Sequence, residues 1–199
     1  MRRNHIFMIG VLASLTYVLT KRRASPDKQF TTAITANGVT ITKYNGHSKA
    51  VTIPAHIHNR PVIRVAQQAF KDKNLHNVTL PNTIQHIDNW AFANNKLTQL
   101  ILPNELISIG DWAFYNNALT TLTLPPQLTS IGDWAFYDNA LTSLSCCPTL
   151  TNMGNWAFAF NALTTLTLPS SLAHKIAGET FHHNPIKQIT YEREWPPLV

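Results

Sequence analysis

The chain has 199 residues, 44% of them hydrophobic, and a formal net charge of +6. That length holds one domain with a real core. The positive charge is not a nucleic-acid footprint. Residues 1–24 carry five of the sixteen basic residues and no acid, which leaves eleven basic against ten acidic residues in the rest. From Val65 to His174 the basic residues are Lys71, Lys73 and Lys96, against Asp72, Asp88, Glu105, Asp111, Asp133 and Asp138. Phosphate backbones are held by clustered Lys and Arg, and the body of the chain lacks such a cluster.

Ile6 to Leu19 is an apolar run behind Arg2-Arg3. It is shorter than the ~20 residues that cross a bilayer and suits a secretory h-region. Thr20-Lys21-Arg22-Arg23 follows without a small-x-small cleavage site, and positive charge there opposes translocation. Residues 1–24 therefore read as a signal peptide, with an uncleaved membrane anchor over residues 6–19 as the second reading. Any membrane contact is expected through this segment alone. Residues 25–37 read as a linker, although its Thr and Ile could add a strand. Residues 38–64 read as an N-terminal cap. Within it Val39–Tyr44 and Lys49–Pro54 alternate in polarity, and Asn45-Gly46 between them is a hairpin signal.

Residues 65–191 are repetitive. The string Ile-Gly-Asp-Trp-Ala-Phe stands at Ile109 and again at Ile131, with relatives at Val65, Ile87, Met153 and Ile176. Successive copies are 22 residues apart, and the last step is 23. A phenylalanine follows five residues on, as Phe70, Phe92, Phe114, Phe136, Phe158 and Phe181. Then comes L-x-x-L-x-L, as in Leu119, Leu122 and Leu124. Its last three residues alternate, so two side chains point inward from one short strand. Pro81, Pro103, Pro125 and Pro169 end that strand, because proline cannot donate to a ladder. A 22-residue unit cannot bury its apolar face alone. Stacked units bury it together, with parallel strands about 4.8 Å apart and a rod roughly 30 Å long. Asn95, Asn117, Asn139, Asn161 and Asn184 recur after the phenylalanine and read as a bonded ladder along the turns. Glu192 to Val199 reads as a tail.

The string LTTLTLPPQLTSIGDWAF resembles the repeat of BspA-like (Treponema pallidum type) leucine-rich-repeat proteins. The lead-in GVTITKYNG and AVTIPAHIHNRPVIRVAQQAF is similar to that family's usual first segment, so the likeness runs from about Val39 to Tyr191. The resemblance implies a right-handed leucine-rich-repeat solenoid with a short parallel β-sheet on its concave side. It also implies secreted or surface bacterial proteins, some of them adhesins, and brings no catalytic residues. One position departs from the pattern. Two residues before the phenylalanine the family is usually variable, yet here stand Trp90, Trp112, Trp134 and Trp156.

These four tryptophans lie on one line of the solenoid, flanked by Tyr115 and Tyr137. They read either as a stack that rigidifies the coils or as a platform for a ligand, including the flat faces of sugar rings. The outward residues of the strands form a second candidate surface, nearly uncharged and rich in hydroxyls, with Thr121, Thr123, Thr165 and Thr167 at its centre. His56 with His58, and His182 with His183, lack the Cys or carboxylate partners of a metal site. No nucleophile, base and orienter are assembled, and no cofactor is called for. Cys146-Cys147 replaces Leu-Pro of the other coils, with Cys146 expected buried and Cys147 exposed. The combined reading is a secreted or surface-exposed, non-catalytic interaction or adhesion module with a protein or glycan ligand. The rival is an intracellular or membrane-tethered scaffold.

Overall fold

The computed structural model describes residues 26–173 and 175–192. The leader expected over residues 1–24, and all but the first residue of the tail expected over 192–199, lie outside the described residues. Among the described residues no helix is long and apolar enough to cross a membrane.

A 3-10 turn, Pro26–Gln29, leads into β1 (Phe30–Ile34), which pairs antiparallel with β2 (Val39–Tyr44). Residues 26–37 of the stretch expected as a linker over 25–37 are thus built into the cap. Phe30 gives it a reason to order: its ring is buried 5.9 Å from that of Tyr44 and 6.2 Å from that of Phe70. The cap hairpin is β1–β2 and not the pairing across Asn45-Gly46 that the alternation suggested. Beyond β2 the Asn45 N–H donates to the Gln29 carbonyl at 2.8 Å and so extends the β1 pairing. The Tyr44 hydroxyl bonds both main-chain groups of Ser48, at 3.2 and 3.3 Å, so residues 45–48 wrap the tyrosine instead of reversing tightly. β3 (Ala50–Thr52) is thereby released to run parallel to the next coil. β4 (His56–Ile57) and β5 (Arg60–Val65) form a second small hairpin, and β5 also lies parallel to β2.

From there each repeat feeds up to two ladders. The L-x-x-L-x-L segments supply β6 (Asn77–Thr79), β9 (Thr121–Thr123), β11 (Ser143–Ser145), β13 (Thr165–Pro169) and β14 (Gln188–Glu192). The opening aliphatics supply β7 (His86–Ile87), β8 (Ser108–Ile109), β10 (Ser130–Ile131) and β12 (Asn152–Met153). This second set continues the cap sheet in the order β1-β2-β5-β7-β8-β10-β12, with Ile87 beside Ile109, Ile109 beside Ile131 and Ile131 beside Met153. Two-residue strands are too short to leave a period-2 pattern, so only the first set was visible in the sequence. The first set is divided. β3 pairs β6, and β14-β13-β11-β9 form a separate sheet, because the coil between β6 and β9 contributes no strand.

The core is a spine of rings. Phe70, Phe92, Phe114, Phe136 and Phe158 are fully buried, stacked on one another at 4.8 to 5.3 Å between centroids. Tyr44 closes the stack beneath Phe70 at 5.3 Å, and Phe181 closes it beyond Phe158 at 5.7 Å. Leu97, Leu119, Leu141 and Leu163 stand beside the spine with no exposed surface.

The asparagine row is the ladder its spacing implied. Asn139 Nδ2 donates to the Phe136 carbonyl of its own coil at 3.1 Å and to the Phe114 carbonyl of the coil before at 3.0 Å. Its Oδ1 accepts from the Leu119 N–H at 3.2 Å. Asn95, Asn117, Asn161 and Asn184 make the same three kinds of bond. Such turns leave main-chain groups without partners in their own coil, and orphaned buried groups are costly. Elsewhere in the coil, Gly132 is required because a Cβ there would strike the Asp111 side chain and main chain.

The spine makes central coils dearer to disturb than terminal ones. Phe136→Ala is expected to cost about 3–5 kcal/mol and Phe181→Ala clearly less, since a terminal coil has one neighbour. Urea melts of the two variants check this, and equal losses would contradict a stack of interdependent coils.

Candidate functional site

Two surfaces carry the sequence-predicted residues. The first is the aromatic row. After Ile-Gly-Asp the chain leaves one ladder and must point Ala and Phe inward. It does so with tryptophan in the left-handed region, φ 62° at Trp90, 53° at Trp112, 54° at Trp134 and 58° at Trp156. A bulky side chain there costs roughly 1–2 kcal/mol. Two interactions offset that cost. The Trp112 N–H donates to the Asp133 carbonyl of the next coil at 2.9 Å, and Trp90 and Trp134 repeat the bond. The indoles also stack, Trp90 on Trp112 and Trp112 on Trp134, both at 4.8 Å and within 9° of parallel. Lys71 Nζ lies 4.5 Å from the Trp90 ring centre. Trp156 instead meets His182 edge-on at 5.1 Å. Beside the row Tyr115 stacks on Tyr137 at 5.5 Å, and Tyr137 contacts Phe160 at 4.9 Å. Burial first, then Tyr115 and Asp138, push the Tyr137 phenol above its usual value. A sugar ring stacks on an aromatic face, and both faces of Trp112 are covered by its neighbours. At Trp112 the row therefore presents only an edge.

The second surface is the outward side of the L-x-x-L-x-L strands. Thr121 and Thr123 stand out from β9 on either side of buried Leu122, and Thr165 and Thr167 flank buried Leu166 on β13. β11 joins them, placing Ser143 beside Thr121 and Ser145 between Thr123 and Thr167. Thr167 Oγ1 is 3.2 Å from Thr190 Oγ1 on β14. The four threonines thus share one sheet, in a hydroxyl row without charge.

Sequence reasoning missed the interruption in this surface. In the coil between β6 and β9 the main-chain groups of Thr98 to Leu102 make no hydrogen bonds among the described residues. Ile101 there takes the place that Thr79 and Thr123 hold in adjacent coils, and it is 87% exposed. A cleft lies on each side. One, of about 250 Å³, is lined by Val78, Thr79, Leu80, Gln99 and Ile101. The other, of about 380 Å³, is lined by Ile101, Leu102, Thr121, Thr123, Leu124 and Pro125. The signal was present in the residues: this outward position reads Thr79, Ile101, Thr123, Ser145, Thr167, Thr190, with one apolar member.

The remaining chemistry-bearing groups are engaged structurally. Asp111 accepts from the Asp133 N–H at 2.9 Å and from Asn89 Nδ2 at 3.3 Å, and Asp133 accepts from the Asn155 N–H at 2.7 Å. Asp88 pairs with Arg64 at 3.1 Å. His86 Nδ1 lies 2.8 Å from Ser108 Oγ, and burial, then Arg64, hold its pKa down against the opposing pull of Asp88. Among the described residues no group of three or more His, Cys, Asp or Glu is placed to hold a metal. Cys147, expected exposed, is buried. Losing the proline does not free the strand end, because Cys147 Sγ packs inward, 3.5 Å from the Leu128 carbonyl. Burial, then the neighbouring Cys147, push the Cys146 thiol to about 12, and burial also raises Cys147.

A family model for the BspA type leucine rich repeat region matches residues 63–192 in six copies. The chain belongs to this family. Among solved structures it is similar to the pneumococcal vaccine antigen PcpA, at 25% identity and a TM-score of 0.66, over 82% of this chain and 48% of that one. It is also similar in fold to a leucine rich cell surface protein from Faecalibacterium prausnitzii, at 24% identity and a TM-score of 0.61, over 84% of this chain and 54% of that one. The chain spans about half the length of each. No match is found among curated proteins.

Two measurements follow from the geometry of the BspA-type repeats. Trp112→Leu removes two stacked contacts of roughly 0.5–1.5 kcal/mol each, so a loss of about 1–3 kcal/mol is expected in denaturant melts. An unchanged midpoint would mean the stack contributes nothing. Raised thiol pKa values mean little thiolate at pH 8, so iodoacetamide should label Cys146 and Cys147 far more slowly in the native protein than in urea. The same shift makes folding lose stability as pH rises from about 9 toward 12, because only the unfolded thiol ionises there. Rapid native labelling at pH 8 would contradict the burial.

Proposed function

We propose that this BspA-type chain is a secreted or surface-exposed, non-catalytic interaction module that binds a protein through the outward side of its L-x-x-L-x-L strands. The observation that carries the reading is the uncharged hydroxyl surface of Thr121, Thr123, Thr165 and Thr167, bordered by exposed Ile101. Interaction surfaces are flat, depleted in charge at their centre and apolar in spots. No titratable side chain lines either cleft beside Ile101, so nothing there supplies an acid or a base to activate the threonine hydroxyls.

The Trp row serves coil stacking in this reading, because Trp112 is stacked on both sides and Trp90 and Trp134 are each stacked on it. A glycan laid across the stacked faces has no support from the geometry. Export rests on the apolar Ile6–Leu19 run behind Arg2-Arg3 and on the cell-surface and vaccine-antigen descriptions of the two similar structures.

Two experiments test the reading. Fractionation of the source cells with N-terminal sequencing should find the protein outside the cytosol. Full-length protein confined to the cytosol would favour the intracellular scaffold. Second, the full chain should bind at least one member of a panel of immobilised extracellular-matrix proteins. Thr121→Lys with Thr165→Lys should abolish that binding at unchanged stability, while Trp112→Leu should retain it in the folded fraction. The opposite pattern would move the binding surface to the aromatic row.

A further inference from the structure

We infer that the Ile101 coil is the contact centre of the strand face, and that it takes an extended, uncharged segment of a partner protein whose aliphatic side chains fill the two clefts flanking Ile101. The inference deepens the proposed interaction function and rests on it.

Three independent observations meet at this coil. An exposed isoleucine stands alone in a row otherwise made of Thr and Ser, at 87% exposure. Full exposure of a branched aliphatic side chain carries no folding benefit, and the threonine used by the adjacent coils suits the same strand position. The main chain of Thr98 to Leu102 is unpaired among the described residues, whereas the strands two coils apart on either side of the break are laddered to their other neighbours. Open amides and carbonyls within a sheet are met by water or by a ligand. The clefts then supply shape. At about 250 and 380 Å³ one lies below and the other near the lower end of the roughly 300–1,000 Å³ of small-molecule sites, a size that suits individual side chains.

The chemistry of the walls selects the occupant. Their residues are Leu, Ile, Val, Pro, Thr, Asn and Gln, with no charged side chain. A charged segment would surrender its hydration with no counter-charge in return, which excludes acidic and basic peptides and phosphorylated ones. The two clefts are separated by one coil, about 5 Å or somewhat more where the ladder has opened. Alternate side chains of an extended chain are roughly 6.6 Å apart. A segment crossing the strands can therefore place residues i and i+2 in the two clefts and straddle Ile101. Its own polar groups then come within reach of the open main chain of Thr98 to Leu102.

The test is a random heptapeptide library displayed on phage and panned against the full chain. The selected sequence is then synthesised with capped ends. Uncharged peptides with aliphatic residues at alternate positions should be enriched. The synthetic peptide should bind Ile101→Thr about tenfold more weakly than wild type and Thr165→Lys equally well. Hydrogen exchange at Thr98 to Leu102 should slow when it binds. Ile101→Thr installs at an exposed site the residue that neighbouring coils carry there, so its melt should match wild type. Equal affinity for Ile101→Thr, selection of charged peptides, or no enrichment overturns the Ile101 proposal. The proposed function then stands or falls separately, on whether matrix-protein binding is lost in the Thr121→Lys, Thr165→Lys double variant.

Discussion

Every coil depends on its neighbour for what it cannot supply itself. The asparagine after each phenylalanine makes the dependence concrete: one amide closes its own turn, caps a carbonyl of the previous coil and receives that coil's leucine N–H. Twenty-two residues enclose too little volume to bury a phenylalanine, so the faces of the ring are covered by the rings before and after it. Apolar burial and main-chain satisfaction thus run in the same direction along the solenoid. The side chains that bind coils together are spent, and they include groups that elsewhere suggest chemistry, such as Asp111 and Asp133.

That spending decides where function can sit. The ladder of opening aliphatics runs unbroken from the cap to Met153, and the turn side is stitched by asparagine and stacked tryptophan. The L-x-x-L-x-L side is the one whose stitching skips a coil. A break on one side of a solenoid that is closed on its others does not unfold it, because Ile87, Ile109, Asn95 and Asn117 still tie the Leu97–Leu102 coil to both neighbours. The fold can therefore hold open main chain and an exposed isoleucine at small structural cost. This is the setting in which a recognition surface can differ from the repeat without weakening the rod.

The repeat was legible because periodicity in a solenoid is itself the fold. Phe114 and Phe136, or Leu119 and Leu141, are read as core from spacing alone, and the structure buries each of them fully. Asn139 was legible as turn chemistry for the same reason. The cap was less so. Asn45-Gly46 is a strong local turn signal, but local preference loses to Tyr44, whose hydroxyl holds the Ser48 main chain and draws the segment around its ring. Cys147 was misplaced because a missing proline says only that the strand end is unconstrained, not where the side chain goes. Ile101 was overlooked because attention to a repeat averages over its exceptions. Within the repeat a deviation at an outward position carries more functional information than agreement at an inward one.

The tryptophan row shows the same logic from the opposite side. A single tryptophan held at φ near 55° with no stacked neighbour would be a net cost, since the left-handed backbone is disfavoured for a bulky residue. In a row the cost recurs with each coil, but so does the stack, and an interior member gains two contacts for one strained residue. The indole stack ends at Trp134, and Trp156 meets His182 of the following coil edge-on. Phe160 of the same coil is itself left-handed at φ 55° and packed 4.1 Å from the ring of His183. Regularity in this surface is a condition of its stability, whereas on the strand face regularity is dispensable. The proposed binding role therefore falls to the strand face, where a change of residue disturbs no stack.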